Sequence, residues 1–444
     1  MARVLYALLA LTIVAAPASG QGLRDKIDEL FIFGSGGDPL FLSGTADPNN
    51  PTSIQVHGTH FVPSAVESNG TLISFLSTAI GSNITNLPIS ATSSGRTFRF
   101  EGGAPVATST SPGPVFAERA QTLGRGRVLV GASMSVFKFK SVRGVPLDNI
   151  QLNFTHQNVD FAGCDSVSGG DCSLMGIPTL ENDVIALTLD LNVDVTSTIF
   201  LLSYGLLDWV DVSVAVPIIS TSLRGTSAAQ VVPFGGPQAT HFFEGTPTNA
   251  ELSASRFVEG SATGLGDVAA RLKIRLGQSQ TAAFAILGDA RFATGSEVDL
   301  LGSGRTSVRG LGIVSAQFGA FAPHANVGYV YREGDLQNDA LLATLGFDHM
   351  LSNWAALAVE VISELQVGES QLTVPDPVTI DVPFRRTIDL TNIPNRRDDI
   401  INGSVGMKFV TSTGLRIIAN ALFPLNTGGL RPSLAWTAGL EYNF

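Results

Sequence analysis

The sequence predicts an all-β fold: a transmembrane antiparallel β-barrel of about twelve strands, with an irregular N-terminal plug or periplasmic region. Three observations predict it. Apolar and polar residues alternate over segments of ten to fifteen residues. The connections between these segments are alternately short and long. The last segment alternates up to a terminal Phe444.

The alternation comes first because it sets the wall. In a strand, successive side chains point to opposite faces. Within residues 183–196, Ile185, Leu187, Leu189, Leu191, Val193 and Val195 share one face, against Thr188, Asp190, Asn192 and Asp194 on the other. Val210, Val212, Val214, Val216 and Ile218 oppose Asp211, Ser213 and Ala215. Val268, Ala270, Leu272, Ile274 and Leu276 alternate with Arg271, Lys273 and Arg275. Twelve such segments are expected, near 127–141, 183–203, 208–223, 264–277, 280–294, 307–321, 324–333, 340–351, 354–367, 399–411, 414–424 and 431–444. A tilted strand crosses a bilayer in roughly nine to eleven residues, whereas soluble strands average about five or six.

Connections separate the barrel from a soluble sandwich. Short turns are expected at 204–207, 278–279, 322–323, 352–353 and 412–413, with longer loops between them. Short turns on one side and long loops on the other, with an even strand count, is the outer-membrane arrangement. Fourteen strands result if Leu72–Ile80 and Thr97–Phe100 join the wall. In the last strand Trp436, Leu440, Tyr442 and Phe444 share a face. That pattern resembles the C-terminal signature recognised by bacterial barrel-assembly machinery. Closure also removes an apolar edge that would otherwise aggregate.

Composition agrees. The charged fraction is 15% and mean hydropathy is +0.26, where a soluble chain carries about a quarter charged residues. Yet no second apolar run is long enough for a spanning helix. Residues 1–20 read as a signal peptide: Arg3, then apolar Val4–Ala16, then Pro17, Ala18, Ser19 and Gly20. An uncleaved anchor is the alternative. The expected organisation is 1–20 signal peptide, 21–125 plug or periplasmic region, and 126–444 outer-membrane barrel. The formal net charge of −11 argues against nucleic acid as a partner, because affinity there comes from neutralising phosphates. Cys164 and Cys172 are expected to form a disulfide in an oxidising compartment, a loop staple contributing about 2.5 kcal/mol by the chain-entropy argument.

A charge facing lipid at mid-bilayer costs roughly 2–4 kcal/mol, so the charged faces are expected to point inward. The expected lumen residues are Asp190, Asp194, Asp211, Arg271, Lys273, Arg275, Asp289, Arg291, Glu360, Glu364 and Lys408. They form either a polar pathway or a structural salt-bridge network. Neither names a solute.

Several stretches resemble a known family. Phe116–Phe139, Val212–Ile219, Gly264–Leu276 and Ala290–Gly304 resemble the barrel start, Pro-ending strand, Gly-x-Gly-Asp strand start and Gly-rich loop of exported proteins in the MetA-pathway phenol-degradation family. That family is related to the long-chain fatty acid transporter superfamily. The resemblance covers roughly residues 116–444. It implies an outer-membrane channel for hydrophobic compounds, with an N-terminal plug inside the barrel.

Other chemistry is weakly supported. His57 and His60 share a Gly/Thr-rich stretch without a third ligand, and Asp160, Asp165 and Asp171 lack a calcium-loop pattern. No Ser/His motif surrounds His156, His324 or His349. No metal or cofactor is expected. The leading expectation is a non-enzymatic channel for passive uptake of hydrophobic or aromatic small molecules. The alternatives are an adhesive or structural barrel with partner-binding loops, and an outer-membrane hydrolase. Expected partners are outer-membrane lipid, lipopolysaccharide (through Arg385, Arg386, Arg396 and Arg397), the assembly machinery and a hydrophobic solute.

Overall fold

The alternating segments form the wall expected of them. The computed structural model describes residues 22–33, 40, 42–47, 50–58, 98–101, 104–107, 115–155, 183–233, 241–246, 248–334, 337–380 and 384–444. The signal segment, Leu72–Ile80, Cys164, Cys172, His60, His156 and the three loop aspartates lie outside the described residues. The wall strands are β1 (Val128–Val142), β2 (Val184–Leu207), β3 (Val210–Val232), β4 (Ala269–Gln278), β5 (Ala282–Arg291) and β6 (Ser307–Ala316). They continue as β7 (Phe321–Arg332), β8 (Ala340–Ser352), β9 (Ala355–Gln366), β10 (Ile400–Val410), β11 (Arg416–Pro424) and β12 (Leu430–Asn443).

Each strand pairs antiparallel with the next, and β12 pairs with β1. The barrel therefore closes on twelve strands, and no wall edge remains unpaired. Phe98–Glu101 pairs with Ala104–Ala107 in a separate hairpin rather than joining the wall. Closure is sealed at the last residue, where the Phe444 N–H donates to the Val128 carbonyl oxygen at 2.8 Å. Trp436, Leu440 and Phe444 face outward, and the Tyr442 and Phe444 rings meet edge to face at 4.7 Å.

Two turns lie elsewhere than expected. The chain runs straight through 204–207 and turns at Asp208–Trp209; it turns at 317–320 and continues through Ala322–Pro323 in β7. Pro323 is tolerated because β6 pairs only from His324 onward, so no ladder donor is required at that position on that side.

The outer surface carries a band of exposed apolar side chains, including Phe200, Leu202, Val212, Val214, Leu272, Phe284, Val314, Val327, Leu345, Val405 and Leu440. A patch that large on a soluble chain would drive association; on a barrel it is the lipid belt. No helix among the described residues is long and apolar enough to cross a membrane.

Strands β2 and β3 correct two expected lumen residues. They run for 24 and 23 residues, about twice what a bilayer crossing needs. Their pairing continues without a break past the belt, flanked by Ile150–Thr155 on β2 and Ser253–Leu265 on β3. On this extension the faces exchange roles. Ile185, Leu187, Leu189, Leu191, Val193 and Val195 point inward and are buried. Asp190 is exposed on the outer face, and Asp194 shares that face opposite Lys138. Asp190 and Asp194 therefore do not line the lumen. The inference from lipid cost fails for them because water, not lipid, surrounds the projecting half.

The apolar inner face of the extension packs on the N-terminal region. Helix α1 (Leu23–Glu29) buries Leu23 and Ile27, one turn apart, and Leu30, Phe31 and Phe33 follow them into the same cluster. Ser227 Oγ donates to the Leu30 carbonyl at 2.6 Å, and the Phe31 ring meets Phe154 edge-on at 5.9 Å. Gly225 makes room for this approach, since a Cβ there would sit 2.9 Å from Leu30 Cδ1.

The exchange of faces gives a direct expectation. Leu202→Arg, in the belt, should cost about 2–4 kcal/mol of folding stability in liposomes. Asp190→Lys, twelve residues earlier on the same face, should change stability by no more than about 0.5 kcal/mol. Urea titrations read by the gel shift of unheated samples measure both.

Candidate functional site

Residues 115–124 pass through the barrel interior at the end that carries the short turns. This stretch is not a strand, so its backbone donors have no ladder partner, and buried donors must be satisfied somehow. Side chains from the wall do it. Glu360 on β9 accepts from the Val115, Phe116 and Ala117 N–H groups at 3.2, 3.0 and 3.0 Å. Asn326 on β7 accepts from Glu118 N–H at 2.7 Å and donates to the Glu118 carbonyl at 2.9 Å. Ser315 on β6 accepts from Ala120 N–H at 3.0 Å. Both Asp211 oxygens, on β3, accept from Leu123 N–H at 3.1 and 3.0 Å.

Its two charged side chains are buried and paired. Glu118 receives Arg271 of β4 at 2.8 Å and lies 3.5 Å from Lys273 Nζ. Arg119 pairs with Asp348 of β8, which is fully buried. His324 sits beside both anchors, 3.8 Å from Asp348 and 3.5 Å from Glu360. The segment leaves the interior at Gly205, where a Cβ would lie 1.9 Å from the Gly124 carbonyl oxygen; only glycine admits the crossing.

Beyond the segment, toward the long loops, lies a cavity with about 1330 Å³ of empty space, part of it continuous with solvent. Phe116 and Glu118 line it from the segment. One side is apolar, with Phe137 and Phe139 stacked at 6.4 Å beside Ile362, Leu422 and Leu430. The other is charged. Asp289 lies 3.0 Å from Arg271, 2.8 Å from Arg309 and 3.7 Å from Arg291. Arg332 donates to Glu364 at 2.6 Å.

The sequence-expected residues thus divide by place. Asp211, Arg271, Lys273 and Glu360 hold the crossing segment; Asp289, Arg291 and Glu364 line the cavity, as Arg271 also does. Lys408 is buried 3.6 Å from Glu441, a wall-to-wall pair. Arg275 lies at the rim, bonded to Gln278 and to the Asp208 carbonyl. Sequence reasoning missed Arg309, Arg332, Ser315, Asn326 and Asp348, although strand parity alone would have placed each inside. It also missed Glu118 and Arg119, which carry no periodic signal. Among the described residues no His, Cys, Asp and Glu cluster is arranged to hold a metal ion.

No family model matches the chain, and no curated protein does. Three solved structures are similar at 11% identity each. An outer membrane channel from Pseudomonas putida aligns over 73% of this chain and 98% of its own, with a TM-score of 0.38. A FadL homologue from Pseudomonas aeruginosa aligns over 72% and 89%, with a TM-score of 0.32. A deletion mutant of the TodX monoaromatic hydrocarbon channel aligns over 72% and 91%, with a TM-score of 0.34.

Proposed function

We propose that the chain is a bacterial outer-membrane channel for passive uptake of hydrophobic or aromatic small molecules, and that residues 115–124 form its plug. The observation that carries this reading is the pairing of a partly apolar lumen cavity with a crossing segment that, among the described residues, is held by side-chain contacts rather than by strand pairing. Such contacts can be broken and remade, whereas a segment hydrogen-bonded into the wall would be permanent. The family resemblance of the barrel segments supports the hydrophobic solute class. In this reading the short turns face the periplasm, a solute enters the cavity from the long-loop side, and displacement of 115–124 opens the inner mouth. Helix α1 is the outer part of the same plug region. Residues 1–20 direct export, and the outward Trp436, Leu440, Tyr442 and Phe444 engage the assembly machinery. The loop arginines are the candidates for lipopolysaccharide, although Arg397 already meets Asp399 at 3.1 Å and Arg396 the Thr427 carbonyl at 2.9 Å.

Uptake of labelled benzyl alcohol by cells carrying the gene, against the same strain without it, tests the function. A several-fold faster initial rate is expected. Equal rates at equal surface expression would contradict it.

A further inference from the structure

We propose that the lumen cavity is a binding site for an organic anion that joins one carboxylate to an apolar, planar body. This deepens the channel reading and rests on it for the path to the site. The charge balance points to it. Among the described residues, five guanidinium groups line the cavity, from Arg271, Arg291, Arg309, Arg332 and Arg431, against three carboxylates, from Glu118, Asp289 and Glu364. Asp289 is shared by three of the arginines, and Glu118 is shared by Arg271 and Lys273.

Arg431 is the clearest sign of the excess. Its side chain is buried, yet its Nη2 donates only to neutral oxygens, those of the Ile401 carbonyl and Asn402, at 2.7 and 2.8 Å. No carboxylate lies within ion-pair distance of it among the described residues, and its Nε donates to nothing there. Nη1 of Arg271 and Nε of Arg309 and Arg332 also lack acceptors among those residues. Gathering cations away from bulk water is unfavourable unless an anion compensates them. The donors remaining are guanidinium N–H groups, whose planar forks match a carboxylate. The stacked Phe137 and Phe139 pair of β1 lies on the Arg431 side of the cavity, across from the arginines of β4–β7, and suits a flat apolar body. A neutral hydrocarbon would leave the guanidiniums unanswered, and a small inorganic anion would leave the phenylalanine side empty.

Titration calorimetry on the full-length protein in detergent, with benzoate and its neutral analogue benzyl alcohol, tests the site. Benzoate is expected to bind at least tenfold more tightly than benzyl alcohol. Arg431→Gln, which retains a donor for the Ile401 carbonyl and breaks no ion pair among the described residues, should weaken benzoate about tenfold and leave benzyl alcohol unchanged. The comparison in the unaltered protein needs no variant to fold. Benzyl alcohol binding as tightly as benzoate, or no binding of either, overturns the proposal. Cellular uptake separates the two readings. Benzyl alcohol passage without benzoate binding overturns the anion site and leaves the channel. Benzoate binding without passage of either solute leaves the site and overturns the channel.

Discussion

Glu360→Ala is expected to turn rare channel openings into frequent ones, raising open probability in planar bilayers by about two to three orders of magnitude. The carboxylate is 1% exposed and accepts three consecutive backbone N–H groups from Val115, Phe116 and Ala117. A hydrogen bond to a charged group contributes roughly 1.5–3 kcal/mol, and a buried donor left unpaired costs a similar amount. Neighbouring bonds do not add fully, so about 3–4 kcal/mol is the expected loss. At about 1.4 kcal/mol per tenfold in population, that is the stated change. The loss falls on the closed arrangement alone. Because the closed arrangement is the resting folded state, the urea midpoint should fall as well, by no more than this same loss. Glu360→Gln, which still accepts but without the charge, should fall between the two.

Arg119→Ala should have an effect of comparable size, and its rescue is the informative part. The substitution leaves Asp348, fully buried, without its guanidinium partner. Breaking a buried pair from one side costs about 3–5 kcal/mol, whereas replacing both members with apolar groups is often neutral or stabilising. The double variant Arg119→Met with Asp348→Leu should therefore return open probability to within about tenfold of the original, although it removes the same ion pair. Open probability that stays high in the double variant would show that the pair itself, rather than the stranded carboxylate, holds the segment.

Strand parity made most of this wall legible, because a period of two is imposed by backbone geometry whatever surrounds the strand. It assigned Asp211, Arg271, Lys273 and Glu360 to one face, and those residues now hold residues 115–124. Parity gives two faces, however, and not the medium that bathes them. Asp190 and Asp194 were placed inside on the premise that the outer face is always lipid. The premise holds for Leu202 and fails above it, where β2 projects beyond the belt and its inner face becomes a packed core around Leu30 and Phe31. The length of β2 was the available warning. Glu118 and Arg119 were illegible for a different reason. An irregular segment has no period, and its contacts arise only when β3, β4, β6, β7, β8 and β9 are brought around it.

The most direct measurement locks the segment in place. With Cys164 and Cys172 changed to Ser, Ala120→Cys and Ser315→Cys put two thiols where the Ala120 N–H now meets the Ser315 hydroxyl at 3.0 Å. In the Glu360→Ala background, single-channel recording should show a silent barrel under oxidant and frequent openings after reductant. If the oxidised, cross-linked protein conducts as the reduced protein does, residues 115–124 are not the plug, and the proposed gating of this barrel is wrong.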